Sequence, residues 1–335
     1  MRIIVIIVSV ISLISCGNSS VNERKEDLVE FDSVVDSLTY LISSKGESAE
    51  LLFQRAKAHE KAGDLDLALA DLNKKMSMEK GKDDFYFKGN LLYGMQDFEN
   101  ANNSYRICVT ENPGYAKCYL KLAQIKQLLG YYNTALALAD SALFIDKTLP
   151  EAYFLKGFTF ELRQMIGDSS KAISSYQTAV ELNPKFYDSY IRLGVLHASK
   201  EDSLAISYYQ SAIDIQPKRI EGYYNQAIYF QESDLFDRAM INYDKILEID
   251  RGSYLALYNQ GYLLLVHAND YKNAREKFNS ALSFEPNYID AYYNRALCSF
   301  YLKEYDKSRE DCKKTLELDP QHDKAALLMS EMDRL

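Results

Sequence analysis

The residue best placed to do chemistry is Cys16, which ends an apolar run near the start of the chain. Met1 and the cation Arg2 precede the run, and Ser15 is the small residue before the cysteine. About 12 apolar-dominated residues are too few to cross a bilayer, which needs roughly 20. A charged start, an apolar middle and a small-residue end are the parts of a secretory signal, so we expect no folded element in residues 1–15.

The residues Leu13-Ile14-Ser15-Cys16 resemble a bacterial lipobox. This resemblance implies cleavage before Cys16, a diacylglycerol thioether on its sulfur and usually a third acyl chain on the freed amine. A thiolate is the nucleophile that such chemistry requires. At about 0.8 kcal/mol for each buried CH2, two or three acyl chains would hold the protein on a membrane almost permanently. The alternative is an ordinary signal peptide in which the cysteine is a coincidence.

Outside Cys16, no residues form a catalytic or metal-binding pattern. The sequence contains no GxSxG, GxGxxG or P-loop motif and no CxxC pair. The histidines are scattered without a metal-ligand spacing, at His59, His197, His267 and His322. We therefore expect no enzymatic activity, no metal and no cofactor other than the lipid on Cys16.

Four cysteines remain beyond Cys16, and they could be free or paired. Cys108 and Cys118 are the two closest in sequence, and Cys298 and Cys312 lie near the other end of the chain. Export would permit disulfides. Because free cysteine is among the most buried residue types, we expect buried packing and leave both pairings open.

The charge balance excludes one class of partner. The chain has 39 Lys and Arg against 48 Asp and Glu, for a formal net charge of -9, and it contains no basic cluster. Such a surface repels phosphate backbones, so we expect no nucleic-acid binding. Anionic lipid headgroups are disfavoured for the same reason.

Small residues recur at regular intervals, in two series of eight. Only small side chains let two helix axes approach closely, so both series predict helix crossings and hence eight helical hairpins. The first series is Ala56, Gly89, Ala123, Gly157, Gly194, Ala227, Gly261 and Ala296. The second is Ala68, Ala101, Ala135, Ala172, Ala205, Ala239, Ala274 and Ser308.

Each second small residue is followed by further regular features. An aromatic side chain four residues later occurs in five repeats, as Tyr105, Tyr176, Tyr209, Tyr243 and Phe278. A stop signal twelve residues later is a proline in five repeats, at Pro113, Pro184, Pro217, Pro286 and Pro320. Proline at this place ends one helix before the next hairpin begins.

This pattern resembles the tetratricopeptide repeat family, whose aromatic, Leu-Gly, Ala, aromatic and Pro positions appear here as Tyr190, Leu193, Gly194, Ala205, Tyr209 and Pro217. The resemblance implies an all-α fold, a right-handed superhelical solenoid of about eight hairpins with capping helices at both ends. The organisation we predict is a signal peptide (1–15), a lipidated cysteine and tether (16–26), an N-terminal capping helix (27–48), eight repeats (49–320) and a C-terminal capping helix (321–335).

The longest turn inside a hairpin is RQMIGDSS, residues 163–170. It could be a docking feature or a tolerated surface loop. We favour the loop, because insertions at a surface cost little free energy.

In tetratricopeptide proteins the first helix of each hairpin lines a concave groove. The resemblance therefore implies a groove lined by Phe154, Phe158, Tyr224, Ile228, Tyr258, Tyr262, Leu265, Tyr293, Leu297 and Phe300. Tyrosine suits a binding surface, because it offers a rigid apolar ring and a hydroxyl at low entropy cost. The alternative is that these side chains only pack against neighbouring helices. Asn225, Asn259 and Asn294 match part of a clamp for acidic peptide termini, but the cations of that clamp are missing.

We therefore expect a membrane-anchored scaffold that binds a protein or peptide in its tyrosine-rich groove. Resemblance to lipoproteins of this architecture implies envelope assembly, either in secretion or pilus machinery or in recruiting peptidoglycan enzymes. Gly17 in place of an aspartate after the cysteine favours the outer membrane, facing the periplasm or the exterior. A glycan-binding lipoprotein is the rival, weakened by the absence of tryptophan. The partner's identity and the oligomeric state stay open.

Overall fold

The computed structural model describes residues 3–5, 29–31 and 33–334, and it divides the chain into two compact units, Met1–Arg163 and Gln164–Leu335. Two short strands, β1 (Ile3–Val5) and β2 (Val29–Phe31), pair antiparallel with Ile3 opposite Phe31. All other elements of the described residues are α-helices. Cys16 and the predicted tether, residues 16–26, lie outside the described residues.

Eight helices belong to the first unit and ten to the second. The first unit contains α1 (Val34–Lys45), α2 (Ala49–Ala62), α3 (Leu65–Met78), α4 (Asp84–Gly94), α5 (Phe98–Glu111), α6 (Ala116–Leu128), α7 (Tyr132–Ile145) and α8 (Pro150–Arg163). The second contains α9 (Asp168–Leu182), α10 (Tyr187–Ala198), α11 (Leu204–Ile215), α12 (Ile220–Glu232), α13 (Phe236–Ile249), α14 (Tyr254–Val266), α15 (Tyr271–Phe284), α16 (Ile289–Tyr301), α17 (Tyr305–Leu318) and α18 (Asp323–Met332). Within each unit every helix packs against the next, which confirms the predicted all-α fold of stacked hairpins.

The N-terminal region differs from the sequence prediction in two ways. We expected no folded element in residues 1–15, yet Ile3–Val5 forms a strand, which is the conformation that β-branched residues favour. We expected the capping helix to begin after Asp27, whereas α1 begins at Val34. Ser33 is its cap: the side-chain oxygen accepts a hydrogen bond from the backbone N–H of Asp36 at 3.1 Å. The strand is formed by the chain with residues 1–15 still attached. It therefore does not test whether these residues are cleaved off, and the signal peptide stays a prediction.

Glycine in the first small-residue series makes room for an aromatic ring. A Cβ added to Gly89 would lie 2.4 Å from the ring of Tyr105, and one added to Gly194 would lie 2.4 Å from Tyr209. Gly261 faces Phe278 in the same way, at 2.8 Å. The aromatic residue of the second helix therefore lies directly on the backbone of the first, which explains why these two features recur together.

The helix ends also follow the repeats. Each second helix that precedes a proline ends two residues before it, as α11 does at Ile215 before Pro217. α7 and α13 end at the equivalent residues although Lys147 and Arg251 replace the proline. Every turn within a hairpin contains a residue in the left-handed conformation, namely Gly63, Gln96, Gly130, Gln164, Glu201, Asp234, Asn269 or Lys303. Only two of these are the glycine that this conformation favours.

The cysteines divide between the units, and their pairing, which the sequence left open, differs. Cys108 and Cys118 are buried, as we expected of the cysteines, but they are not free: they form a disulfide between α5 and α6, with their Cα atoms 6.1 Å apart. The short connection between these helices brings the two residues within disulfide reach. Cys298 and Cys312, in contrast, are free and buried. Burial raises the pKa of the Cys298 thiol to about 12 and that of Cys312 to about 11.

Ion pairs join neighbouring helices in both units. In the first unit the ammonium of Lys75 on α3 donates to both carboxylate oxygens of Asp84 on α4 at 2.8 Å, and both side chains are buried. In the second unit Arg295 on α16 donates two hydrogen bonds to Asp311 on α17, at 2.8 and 2.5 Å. Bidentate pairs of this kind fix geometry as well as charge.

Two surface features complete the fold. In the long turn after α8 the backbone N–H of Met165 donates to the buried carboxylate of Asp168 at 3.0 Å. Its apolar residues Met165 and Ile166 are exposed. At the C-terminus α18 buries Ala325, Leu328 and Met332 against the last hairpin, at the place where we predict a cap. Among the described residues no helix combines the length and the apolar character needed to cross a membrane.

Candidate functional site

Three first helices of the second unit, α12, α14 and α16, present one aromatic-rich face. Tyr224, Tyr258 and Tyr293 occupy the same repeat position on the three helices, three residues before the buried small residues Ala227, Gly261 and Ala296. Residues three or four apart share one side of a helix, so the small residue fixes where the tyrosine points. All three tyrosines are partly exposed. We call the surface of these three helices the aromatic face.

Three tyrosines of α14 and Tyr288, the residue directly before α16, form a ring cluster, which we call the tyrosine cluster: Tyr254, Tyr258, Tyr262 and Tyr288. The rings of Tyr258 and Tyr288 lie edge to face with centroids 4.8 Å apart, and those of Tyr254 and Tyr288 are 5.3 Å apart. Tyr262 stacks along Tyr258 at 6.4 Å. These separations lie within the range in which aromatic pairs attract. The cluster is therefore a preformed surface of partly exposed rings.

Tyr258 holds the cluster in place. Its ring packs on Phe278 of α15 at 5.6 Å, and its hydroxyl oxygen accepts a hydrogen bond from the side-chain amide of Asn294 on α16 at 2.9 Å. Burial raises the pKa of Tyr258 above its ordinary value, and the nearby carboxylate of Asp290 raises it further. The pKa of Tyr288 is raised by burial and by the neighbouring Tyr258 and Asp290. Both hydroxyls are consequently neutral at physiological pH.

The aromatic face has few positive charges. α12 and α14 contain no Lys or Arg, and the only one in α16 is Arg295, whose guanidinium bonds Asp311 and, at 2.8 Å, Asn279. Glu221 is paired with Arg219 at 2.7 Å. Asp290 and Glu232 are exposed, and neither has a hydrogen bond or ion pair in the part of the chain that the structure describes. The face is thus anionic as well as aromatic.

Most of the predicted groove residues of the second unit lie on this face. Tyr224, Ile228, Tyr258, Tyr262, Tyr293, Leu297 and Phe300 are all partly exposed. Several also pack locally: Tyr224 contacts Tyr243 at 6.5 Å, Tyr293 contacts His322 at 4.9 Å and Phe300 contacts Tyr305 at 5.7 Å. The same side chains therefore pack against neighbouring residues and also expose part of their rings.

Leu265 differs from the other predicted groove residues of the second unit because it is buried. Its side chain is only 5% exposed and packs in a cluster with Ala274 and Phe278 of α15. Phe300 occupies the same position in the last turn of α16 and is partly exposed. The position alone therefore does not decide burial, which depends on the packing of the second helix in each hairpin.

The two phenylalanines predicted for the groove belong to the first unit. Phe154 and Phe158 lie on α8, partly exposed, with their rings stacked at 6.3 Å and 20°. They form an aromatic pair within the first unit.

Sequence reasoning missed Tyr254 and Tyr288, which complete the tyrosine cluster. Tyr254 was detectable, because Tyr254, Tyr258 and Tyr262 follow one another at intervals of four and so form a stripe along α14. Tyr288 was not, because it precedes α16 and reaches the cluster only through the packing of α16 beside α14.

The histidines have structural surroundings. His197 lies 2.7 Å from a carboxylate oxygen of Asp202, His267 stacks on Phe236 and His322 caps α18 by accepting from the N–H of Ala325. His59 lies 3.6 Å from Asp64. Across the described ranges, no group of three or more His, Cys, Asp or Glu side chains could hold a metal ion.

Comparisons with known proteins agree with the repeat pattern. Family models described as tetratricopeptide repeat match residues 166–220 and 289–322. Among curated proteins, the DnaJ homolog subfamily C member 7 homolog of Dictyostelium discoideum is 26% identical over 204 residues, which are 60% of this chain and 33% of the relative. The chain thus spans about a third of that relative's length.

Solved structures resemble the chain in fold. The C-terminal part of a TPR repeat-containing protein from Cytophaga hutchinsonii matches with a TM-score of 0.51 and 20% identity, covering 67% of this chain and 92% of that one. A tetratricopeptide repeat protein from Parabacteroides merdae matches with a TM-score of 0.51 and 14% identity, covering 75% and 98%. At these identities the likeness shows the shared fold alone.

Proposed function

We propose that this chain, which carries tetratricopeptide repeats, is a scaffold that binds a protein or peptide partner on the aromatic face of its second unit. The tyrosine cluster is the observation that supports this most strongly. Its rings are partly exposed, held by mutual contacts and by the hydrogen bond from Asn294, and lie on first helices, the binding side in proteins with such repeats. Rigid tyrosines lose little entropy on binding and are frequent binding hot spots.

We propose further that the scaffold is held at a membrane by lipid on Cys16 and acts in the cell envelope, at the outer membrane. The signal-like start and the lipobox support this, and so does the disulfide between Cys108 and Cys118, because disulfides persist in oxidising compartments. Confinement to a surface raises the effective concentration of whatever the scaffold gathers there. The partner would then be a component of secretion or pilus machinery or a peptidoglycan enzyme.

In-cell crosslinking and pull-down of the anchored chain test the binding site. The most informative change is Tyr262→Ala, because Tyr262 stacks on the cluster without filling the core, whereas Tyr258→Ala would leave a hole against Phe278. Loss of a hot-spot ring should reduce partner capture about tenfold, as a cost near 1.4 kcal/mol requires. Tyr131→Ala is the control, since Tyr131 is an exposed tyrosine of the first unit.

Equal capture of the partner by the wild type and by Tyr262→Ala would show that the partner does not bind on the aromatic face. Capture lost from both variants would indicate a general defect, which circular dichroism would reveal as reduced helicity. Saturable hits on a glycan array, with no captured protein, would support the glycan-binding alternative.

The anchor has its own test. Intact-mass spectrometry of the membrane fraction should find a chain that begins at Cys16 and carries two or three acyl chains. Cys16→Ser should abolish this mass and release the protein from the membrane. A mature chain without the lipid increment would contradict the anchor but leave the scaffold proposal standing.

A further inference from the structure

The carboxylate of Asp290 lies beside the tyrosine cluster without a partner of its own. It lies in the first turn of α16, two residues after Tyr288 and one helical turn before Asn294, whose amide bonds Tyr258. It also raises the pKa values of Tyr258 and Tyr288, and it has no hydrogen bond or ion pair among the described residues.

Glu232, at the end of α12, is a second exposed carboxylate without a partner there, and it lies near Tyr209 and Tyr243, away from the tyrosine cluster. A ligand that meets the cluster will therefore meet the negative charge of Asp290 at its edge, and Glu232 adds negative charge elsewhere on the aromatic face.

The face of an aromatic ring and a carboxylate both attract a cationic group. The face of a tyrosine ring attracts an ammonium or guanidinium through its quadrupole, and a neighbouring carboxylate adds a direct charge pair. This chain already shows the contact internally: the guanidinium of Arg219 lies 4.0 Å from the ring of Tyr187 and is paired with Asp188 and Glu221. The tyrosine cluster and Asp290 provide the same two elements with no cation in place.

The hydrogen bonds of the face disfavour an acidic partner. Asn294, which sequence comparison places at a clamp position for peptide carboxylates, donates its side-chain amide to Tyr258 at 2.9 Å. The guanidinium of Arg295 already donates hydrogen bonds to Asp311 and Asn279. A partner carboxylate would thus meet Asp290 with no available cation on α12, α14 or α16 to compensate.

We infer that the partner binds through a cationic and apolar segment, with an Arg or Lys side chain against the tyrosine cluster beside Asp290 and apolar side chains on the neighbouring rings. This rests on the proposed function and specifies its ligand. Because the face extends over the three helices α12, α14 and α16, it suits an extended or helical segment of a protein. A single small amine would cover only one end of it.

Selection from a random peptide library on the immobilised full chain tests this inference. Peptides retained by the wild type should contain Arg or Lys at least threefold above their frequency in the library, next to apolar residues. The double variant Asp290→Asn, Glu232→Gln removes the two unpaired charges and leaves the rings, so this enrichment should disappear. The best peptide should bind it five- to tenfold more weakly at low salt, and less so at high salt, where charge pairs are screened.

The matched control is Asp306→Asn, Glu310→Gln on α17, which removes two exposed carboxylates from the second helix of the last hairpin. Selection on this variant should resemble that on the wild type. An equal loss of Arg and Lys enrichment in both double variants would overturn the inference, because net charge rather than the site would then be responsible. Enrichment of acidic or uncharged peptides by the wild type would overturn it as well.

Tyr262→Ala separates this inference from the proposed function. If Tyr262→Ala loses the selected peptides while the Asp290 and Glu232 variant keeps them, the aromatic face binds peptides but charge does not choose them, and only the inference fails. If Tyr262→Ala retains every peptide, or if the wild type retains none, both the binding site and the inference fail.

Discussion

The first helices of the two units differ in chemistry although they share one repeat. In the first unit α2, α4, α6 and α8 carry nine Lys or Arg, five Asp or Glu and four tyrosines. In the second unit α10, α12, α14 and α16 carry two Lys or Arg, four Asp or Glu and eleven tyrosines. The hairpin core is the same in both, so the contrast resides in side chains that the fold does not require.

The cations of the first unit are used locally. The ammonium of Lys57 lies 4.1 Å above the ring of Phe53, and Lys88 donates to Asn73 at 2.8 Å. Lys156 pairs with Asp140 at 2.6 Å. These three lysines of the first unit thus contact an aromatic ring, an amide oxygen and a carboxylate of the same chain. Among the described residues, no Lys or Arg lies over a ring of the tyrosine cluster of the second unit.

Alkaline pH should produce the largest difference between the units. In the second unit burial raises the pKa of Tyr187 to about 12 and also raises the pKa values of Tyr209, Tyr243, Tyr258 and Tyr288, whereas Tyr105 is the comparable residue of the first unit. Stability linked to a raised pKa is complete below the unfolded value, about 10, and is lost as the pH rises through the folded value. A buried tyrosine loses about 1.4 kcal/mol for each pH unit in this window, so the second unit, which has more such tyrosines, should lose more stability.

Pulse proteolysis across this pH range, with the fragments identified by mass, should show the second unit cleaved first. Tyr209→Phe should shift its loss to higher pH, and Tyr105→Phe should not. If the first unit were cleaved first, or both together, the tyrosines would not be the cause.

Breaking the buried ion pair of the first unit should cost more than breaking its counterpart in the second. Asp84→Ala leaves the ammonium of Lys75 buried without a partner, at about 3 kcal/mol. Asp311→Ala leaves Arg295 partly exposed and still bonded to Asn279, so we expect about 1–2 kcal/mol. Urea unfolding of the two variants measures both costs, and equal values would contradict the assigned role of burial.

Reduction of the disulfide should weaken the first unit alone. The link between Cys108 and Cys118 closes a short loop, for which chain entropy gives about 2–3 kcal/mol. Reductant should therefore speed hydrogen exchange in α5 and α6 and leave α16 and α17 unchanged. The double variant Cys108→Ser, Cys118→Ser should show no further response to reductant. Unfolded without reductant, the chain should have thiol-reactive Cys298 and Cys312 and unreactive Cys108 and Cys118; labelling of Cys108 or Cys118 would disprove the link.

The smallest effects should come from the hairpin turns and should be equal in both units. Gln96 in the first unit and Lys303 in the second have φ near 63° and 62°, so replacing either with glycine relieves a left-handed residue by about 1 kcal/mol. The reverse change, Gly130→Ala at φ 78°, should cost about the same. Thermal or urea unfolding gives the sign directly, and destabilisation by either glycine would show that the native side chain contributes more than the backbone strain.

The sequence by itself determined the repeat, because small residues, aromatics and helix stops act locally and are legible at fixed spacings. The eight hairpins, the glycine beside Tyr209 and the helix end before Pro217 all follow from such signals. It also indicated the tyrosine-rich side of α12, α14 and α16, since helical spacing decides which residues share a face.

Only the tertiary structure decided what depends on contacts between helices. It buried Leu265 under α15, brought Tyr288 onto Tyr258, joined Cys108 to Cys118 and assigned the amide of Asn294 to a tyrosine hydroxyl. Each of these depends on how closely two helices approach and at what rotation. Spacing along one helix carries no information on that approach, because it is set by the side chains of both helices together.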